Sequence, residues 1–158
     1  MWKKYKPYII STAIALGIGG LSALLTKNSM DIYSQLKQPP LAPPGSIFPI
    51  IWTILFILMG IGSAMVYVNR DKDPFEAASA LKLYITNLVF NFLWTIVFFN
   101  FRAFLFAYIW LMILWVIIII MIFKFNKISK TAALLQIPYL LWVTFASYLN
   151  LMIYLLNR

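Results

Sequence analysis

The run AFLFAYIWLMILWVIIIIMIF, residues 103–123, carries no charge from end to end and decides the fold. At about 1.5 Å per residue a helix of this length crosses a bilayer core of about 30 Å. Four further apolar runs of similar length lie at residues 7–26, 47–68, 81–101 and 131–156. The chain is 63% hydrophobic and only 11% charged, too few polar residues to cover a soluble domain, in which about a quarter are charged. Lipid is the solvent. The runs are about twice as long as barrel strands and do not alternate polar with apolar residues, so they read as helices. The expected fold is an all-α membrane protein, a single-domain bundle of five transmembrane helices.

The first run follows Lys3, Lys4 and Lys6, and Leu21-Ser22-Ala23 imitates a signal-peptide cleavage site. Against cleavage, the run is longer than a usual signal core, and Ala15, Gly19 and Ala23 repeat at the four-residue spacing that lets membrane helices pack closely. It reads as the first span. Residues 27–46 carry Pro39, Pro40, Pro43, Pro44 and Gly45, a stiff segment suited either to a lid or to a solvated spacer. A charged turn, 69–76, separates the second and third spans, and Arg102 alone separates the third from the fourth.

A formal charge of +9 would suggest nucleic acid in a soluble protein, but here the cations flank spans, where they set orientation. Lys3, Lys4, Lys6, Arg70, Lys72, Lys82, Lys124, Lys127 and Lys130 fall on one side, and Lys27, Lys37, Arg102 and Arg158 on the other. That bias puts the amino terminus in the cytoplasm and the proline-rich loop and carboxy terminus outside. Cysteine and histidine are absent, which removes thiolate chemistry, disulfides, most zinc sites and histidine base catalysis. The four acids, Asp31, Asp71, Asp73 and Glu76, lie outside the spans, so no carboxylate is placed to couple transport to an ion. No metal and no required cofactor are expected.

Polar and aromatic residues recur on helical stripes: Trp52, Phe56, Met59 and Ser63 in the second span, Asn87, Asn91, Trp94 and Phe98 in the third, and Trp142, Ala146, Leu149 and Ile153, beside Asn150, in the fifth. If these stripes converge, they line a cavity in the outer half of the bundle beneath the proline-rich loop. The alternative is that the tryptophans are interfacial anchors and the asparagines tie helices together at about 0.6 kcal/mol per bond. Trp110 and Trp115, five apart, point in different directions, and at least one should face lipid or a partner subunit. Pro138 deletes a backbone hydrogen bond within the fifth span, giving either a kink that widens the cavity floor or a change of tilt.

In combination and order, four groups of residues resemble the TspO/MBR family of tryptophan-rich sensory proteins, to which the mitochondrial translocator proteins, or peripheral-type benzodiazepine receptors, belong. They are Tyr33, Leu36, Pro39, Pro43, Pro44 and Gly45; Trp52, Met59 and Gly60; Asn91, Trp94, Phe98, Phe99 and Arg102; and Pro138, Tyr139, Trp142, Phe145, Ala146, Leu149 and Asn150. The resemblance covers nearly the whole chain. It implies a lidded pocket for porphyrins such as protoporphyrin IX and for isoquinoline-type ligands, lined by Tyr33, Trp52, Phe56, Phe90, Asn91, Trp94, Trp142, Ala146, Leu149 and Asn150. Bacterial members are linked to stress responses and tetrapyrrole handling, and light-dependent porphyrin breakdown has been proposed with the tryptophans matching Trp52 and Trp142. Without histidine or cysteine, metal-free tetrapyrrole is favoured over haem.

Some positions depart from the family pattern: Ile32, Gln38 and Leu41 stand where Trp, Lys and Trp are common, and 81–101 lacks the small-residue repeat of some dimeric relatives. A homodimer would need another surface or bulkier packing. Leu151, Tyr154 and Arg158 match a loose sterol-contact pattern that ordinary interface anchors also satisfy. Three functions compete: a tetrapyrrole-binding sensor, a transporter of porphyrin or other apolar molecules, and a light-dependent porphyrin-degrading enzyme. The absence of a clear internal repeat and the odd helix count weigh against transport. A bacterial cell membrane is the expected location.

Overall fold

A computed structural model describes residues 2–27, 29 and 31–158; the side chain of Ile32 lies outside the described residues. Five long helical segments account for the chain's apolar runs. They are α1 (Trp2–Thr26), α3 (Ile47–Val68), α4 (Pro74–Phe99), α5 (Phe104–Ile128), and a fifth made of α6 (Lys130–Leu134) followed by α7 (Ile137–Asn157). One extra turn of helix, α2 (Ile32–Gln35), precedes the prolines of the first loop. No strand occurs among the described residues.

Three spans extend beyond their apolar runs: α1 begins at Trp2 rather than Pro7, and local chemistry lengthens α4 and α5. α4 begins at Pro74 rather than near Leu81, because Asp73 caps it, its carboxylate accepting from the Glu76 N–H at 3.1 Å. Proline in the first turn loses no hydrogen bond, and Glu76 sits favourably at the positive end of the helix. The charged turn is therefore a single 3-10 turn, Arg70–Lys72. α5 runs on to Ile128 rather than ending at Phe123, its last turns secured from α4: Glu76 meets Lys124 at 3.4 Å and Lys127 at 3.6 Å.

The fifth span differs from the expected kink. α6 is capped by Ser129 and stops at Leu134, and α7 starts anew at Ile137 with Pro138 in its first turn. There the missing N–H costs nothing, so Pro138 starts a helix and does not bend one. Buried Gln136 fills the break, donating through Nε2 to the carbonyls of Leu58 and Ala132, both at 3.4 Å. The space it needs is left by Gly62, where any Cβ would collide with that amide.

Around the bundle, α1 packs between α3 and α4, α5 between α4 and α7, and α6 with α7 closes the ring against α3. The small-residue stripe of α1 explains its seat on α3. Ala15 is fully buried, and a Cβ on Gly19 would meet the Phe56 ring at 2.6 Å. On the opposite helix a Cβ on Gly60 would lie 2.5 Å from the Thr12 Cα. Gly60→Ala should therefore push α1 and α3 apart and destabilise the bundle by about 1–3 kcal/mol, the usual range for overpacking. Gly17→Ala, whose Cβ meets open space, should be neutral or gain up to about 1 kcal/mol from helix propensity. Thermal unfolding in detergent, followed by circular dichroism, separates the two.

Candidate functional site

Most polar side chains inside the spans find their partners in the protein, and in doing so fix which faces turn inward. Asn150 accepts from Trp94 Nε1 at 3.0 Å and donates to the Phe104 carbonyl at 2.8 Å, joining α7, α4 and the start of α5. One turn and more below, the Tyr139 hydroxyl accepts from Asn91 Nδ2 at 2.9 Å and donates to Asn87 Oδ1. Both knots are buried, so the asparagines do tie helices together. Asn91 and Asn150 also line the cavity these ties create.

The cavity has a volume of about 270 Å³, just below the range of about 300–1,000 Å³ usual for small-molecule sites. Its walls are aromatic. On one side Trp52 and Trp142 meet edge to face, ring centroids 6.4 Å apart, with Phe56 at 5.8 Å from Trp52 and Phe48 at 5.8 Å from Trp142. On the other, Trp94 packs on Phe98 at 5.4 Å and Phe98 on Phe99 at 4.9 Å. Trp94 spends its N–H on Asn150, whereas Trp142 Nε1, buried, finds no acceptor among the described residues. It is a donor still to be matched at the cavity wall.

The proline-rich loop covers this chamber. Tyr33 is buried, stands edge-on to Phe48 at 4.9 Å, and donates to the Pro43 carbonyl at 2.9 Å. Burial raises the pKa of its phenol, which keeps the proton needed for that bond. Gln38, the departure from the family lysine, turns back through its Nε2 onto the Tyr33 carbonyl at 2.6 Å. Leu41 is 82% exposed in a left-handed backbone conformation, φ 72°, so its side chain contributes nothing to the cavity. Two contacts latch the loop to α7: Asn157 exchanges paired hydrogen bonds with the Lys37 backbone, both 2.9 Å, and the Tyr148 hydroxyl donates to the Pro40 carbonyl at 2.7 Å.

Of the residues expected to line the pocket, Tyr33, Trp52, Phe56, Asn91, Trp94, Trp142, Ala146, Leu149 and Asn150 all border it. Phe90 does not. It turns away to stack on Trp110, centroids 4.3 Å apart, and its carbonyl accepts from Trp110 Nε1 at 2.9 Å. Trp115 likewise donates to Thr144 of α7 at 2.8 Å, so both tryptophans of α5 are half-buried helix ties. Met59, Ser63 and Asn87 lie deeper than the cavity on their stripes. The sequence reading missed α1, which contributes Leu16, Gly19, Gly20, Ser22, Ala23 and Thr26. The glycine and alanine spacing placed that helix in close packing but gave no sign that its outer turns face a void. Leu151 and Tyr154 are half-buried on α7, and Arg158 is exposed at its end.

A five-helix membrane bundle with a latched lid over an aromatic chamber defines the class of protein. The TspO/MBR family model matches residues 10–156. The chain is 37% identical over 148 residues to the tryptophan-rich protein TspO of Chlorobaculum tepidum, covering 94% of this chain and 92% of that one. It is 33% identical over 118 residues to the tryptophan-rich sensory protein of Cereibacter sphaeroides, 75% of this chain and 72% of that one. It is 34% identical over 118 residues to the translocator protein of Bos taurus, 75% and 70% respectively. This chain belongs to the TspO/MBR family and is an integral membrane protein.

Removing the latch should loosen the lid without disturbing the bundle. In Asn157→Ala with Tyr148→Phe, amide hydrogen exchange across residues 33–43 should quicken by about tenfold, the equivalent of about 1.4 kcal/mol of hydrogen bonding. Exchange in α4 and α5 should stay unchanged.

Proposed function

We propose that this protein is a membrane receptor for aromatic macrocycles, with porphyrins such as protoporphyrin IX as ligands and isoquinoline-type compounds as smaller competitors. Its occupancy would report tetrapyrrole status to a stress response. The observation that carries this reading is the chamber itself, where Trp52, Trp94 and Trp142 face one apolar void under a closed lid. Broad rings offer the stacking area a macrocycle requires. The free Trp142 N–H supplies a directional bond to a ligand carbonyl or ring nitrogen. Propionates find cations at the outer mouth in Lys27 and Lys37, with the lid outside the cell, the amino terminus in the cytoplasm and a bacterial cell membrane as the setting. A macrocycle exceeds the closed volume, so binding it entails lifting the lid or leaving its edge in the wall. No acid lines the cavity among the described residues, which favours binding over ion-coupled transport.

Titrating purified protein with protoporphyrin IX should quench tryptophan emission saturably. Trp52→Phe with Trp142→Phe should weaken binding by roughly 30-fold, as losing about 2 kcal/mol of buried aromatic contact would. Unchanged emission at saturating porphyrin would defeat the proposal.

The edge-to-face pair of Trp52 and Trp142 favours a second reading, light-dependent breakdown of the bound porphyrin. A photoexcited macrocycle would take an electron from an adjacent indole, add dissolved oxygen at a bridging carbon and return the electron to the indole cation, so that the net change is addition of both oxygen atoms with cleavage of one ring C–C bond and of the O–O bond. Under illumination the wild type should then bleach porphyrin at least tenfold faster than the double phenylalanine variant at equal occupancy. Equal rates would leave only the receptor.

A further inference from the structure

The wall of the cavity is not uniform. Its α4 and α7 faces, from Asn91 and Trp94 to Phe98, and from Ala146 to Ile153, are mostly buried. On the α1 and α3 faces, Leu16, Gly20, Ala23, Pro49 and Thr53 border the same void and are exposed. The two helices touch at Gly60 with Thr12 and again at Gly19 with Phe56. Beyond Gly19, toward the lid, α1 presents Gly20 and Ala23 to the void, and a Cβ at Gly20 would meet nothing within 4 Å. A slot results, opening at membrane depth.

Its chemistry suits hydrocarbon. The hydroxyls along it are satisfied within their own helices: Ser22 donates to the Ile18 carbonyl at 3.0 Å, Thr26 to that of Ser22 at 2.8 Å, and Thr53 to that of Pro49 at 2.7 Å. With those bonds made, they need no water. The route from above is the opposite case, closed by Tyr33 and by the two latches on α7.

We propose that the cavity is loaded and emptied sideways, from the outer leaflet, through the slot between α1 and α3, and that Gly20 and Ala23 are the residues that keep this portal open. Its ligands are therefore compounds that first dissolve in the bilayer. The lid serves as a roof, and its opening is not required for entry. The inference rests on the receptor reading, and the test distinguishes the two.

The chain has no cysteine, so thiols can be introduced where wanted. Gly20→Cys, reconstituted in phosphatidylcholine vesicles, is compared before and after labelling with N-benzylmaleimide, which plugs the slot only once the protein has folded. Separately, Pro40→Cys with Tyr148→Cys, at the other latch, is compared before and after cross-linking by a short bis-maleimide, which fastens the roof. Stopped-flow quenching of tryptophan by protoporphyrin IX reads the rates. Plugging should slow association and dissociation together by about tenfold or more, the mark of a blocked path; a label that only crowded the site, which Gly20 borders, would leave dissociation as fast or faster and count against the route. The fastened lid should leave both rates within about twofold. A plugged protein that binds at its unlabelled rate, or a fastened lid that halts entry, overturns the lateral route while the receptor stands. Absence of saturable quenching in the unmodified protein overturns the receptor and the route with it.

Discussion

Hydrocarbon offers no hydrogen bonds, and a polar side chain within these spans is stabilised when another part of the protein answers it. That constraint organises the bundle. Asn150 joins α7, α4 and α5, the Tyr139 hydroxyl bridges Asn87 and Asn91, and Trp110 and Trp115 reach across from α5 to α4 and α7. Each tie is worth little alone, about 0.6 kcal/mol. Together they determine which way each helix is turned, and so bring three indoles to one chamber. Spending Trp94 on such a tie while leaving Trp142 unmatched divides the aromatic wall into a structural side and a receptive one.

Where amides are absent, close contact replaces them. α1 carries no side-chain amide of its own and, apart from the Asn100 amide that donates to its Leu25 carbonyl at 3.2 Å, it is held by the approach of Gly19 to Phe56 and of Thr12 to Gly60. This attachment suits a helix whose outer turns border both the cavity and the lipid. The buried faces of α4 and α7, by contrast, are hydrogen-bonded together at Asn150 and again at Tyr139. The chamber therefore has a rigid back and a plainer, smaller-featured front.

Much of this was legible in the sequence because hydropathy and helical spacing are both written locally. The five apolar runs became five spanning segments, and the stripes of Trp52, Trp94 and Trp142 became the cavity walls. What was not legible depends on partners distant in the chain. Phe90 sits one residue from Asn91 on a helix that also faces α5, and only the position of Trp110 decides that it turns outward. Pro138 gives the same local signal whether it bends a helix or begins one; the buried Gln136 seated against Gly62 makes the difference. The void beside α1 is a property of what faces it, which no reading of glycine spacing along α1 supplies.

The latch has a consequence for the order in which the molecule becomes complete. The lid precedes four of the five spans in the chain, yet the groups that fasten it, Tyr148 and Asn157, belong to the fifth. Throughout synthesis the nascent bundle stays uncapped until its final helix is inserted. A hydrophobic guest present in the bilayer at that moment can be enclosed during biogenesis, before any gate has had occasion to open.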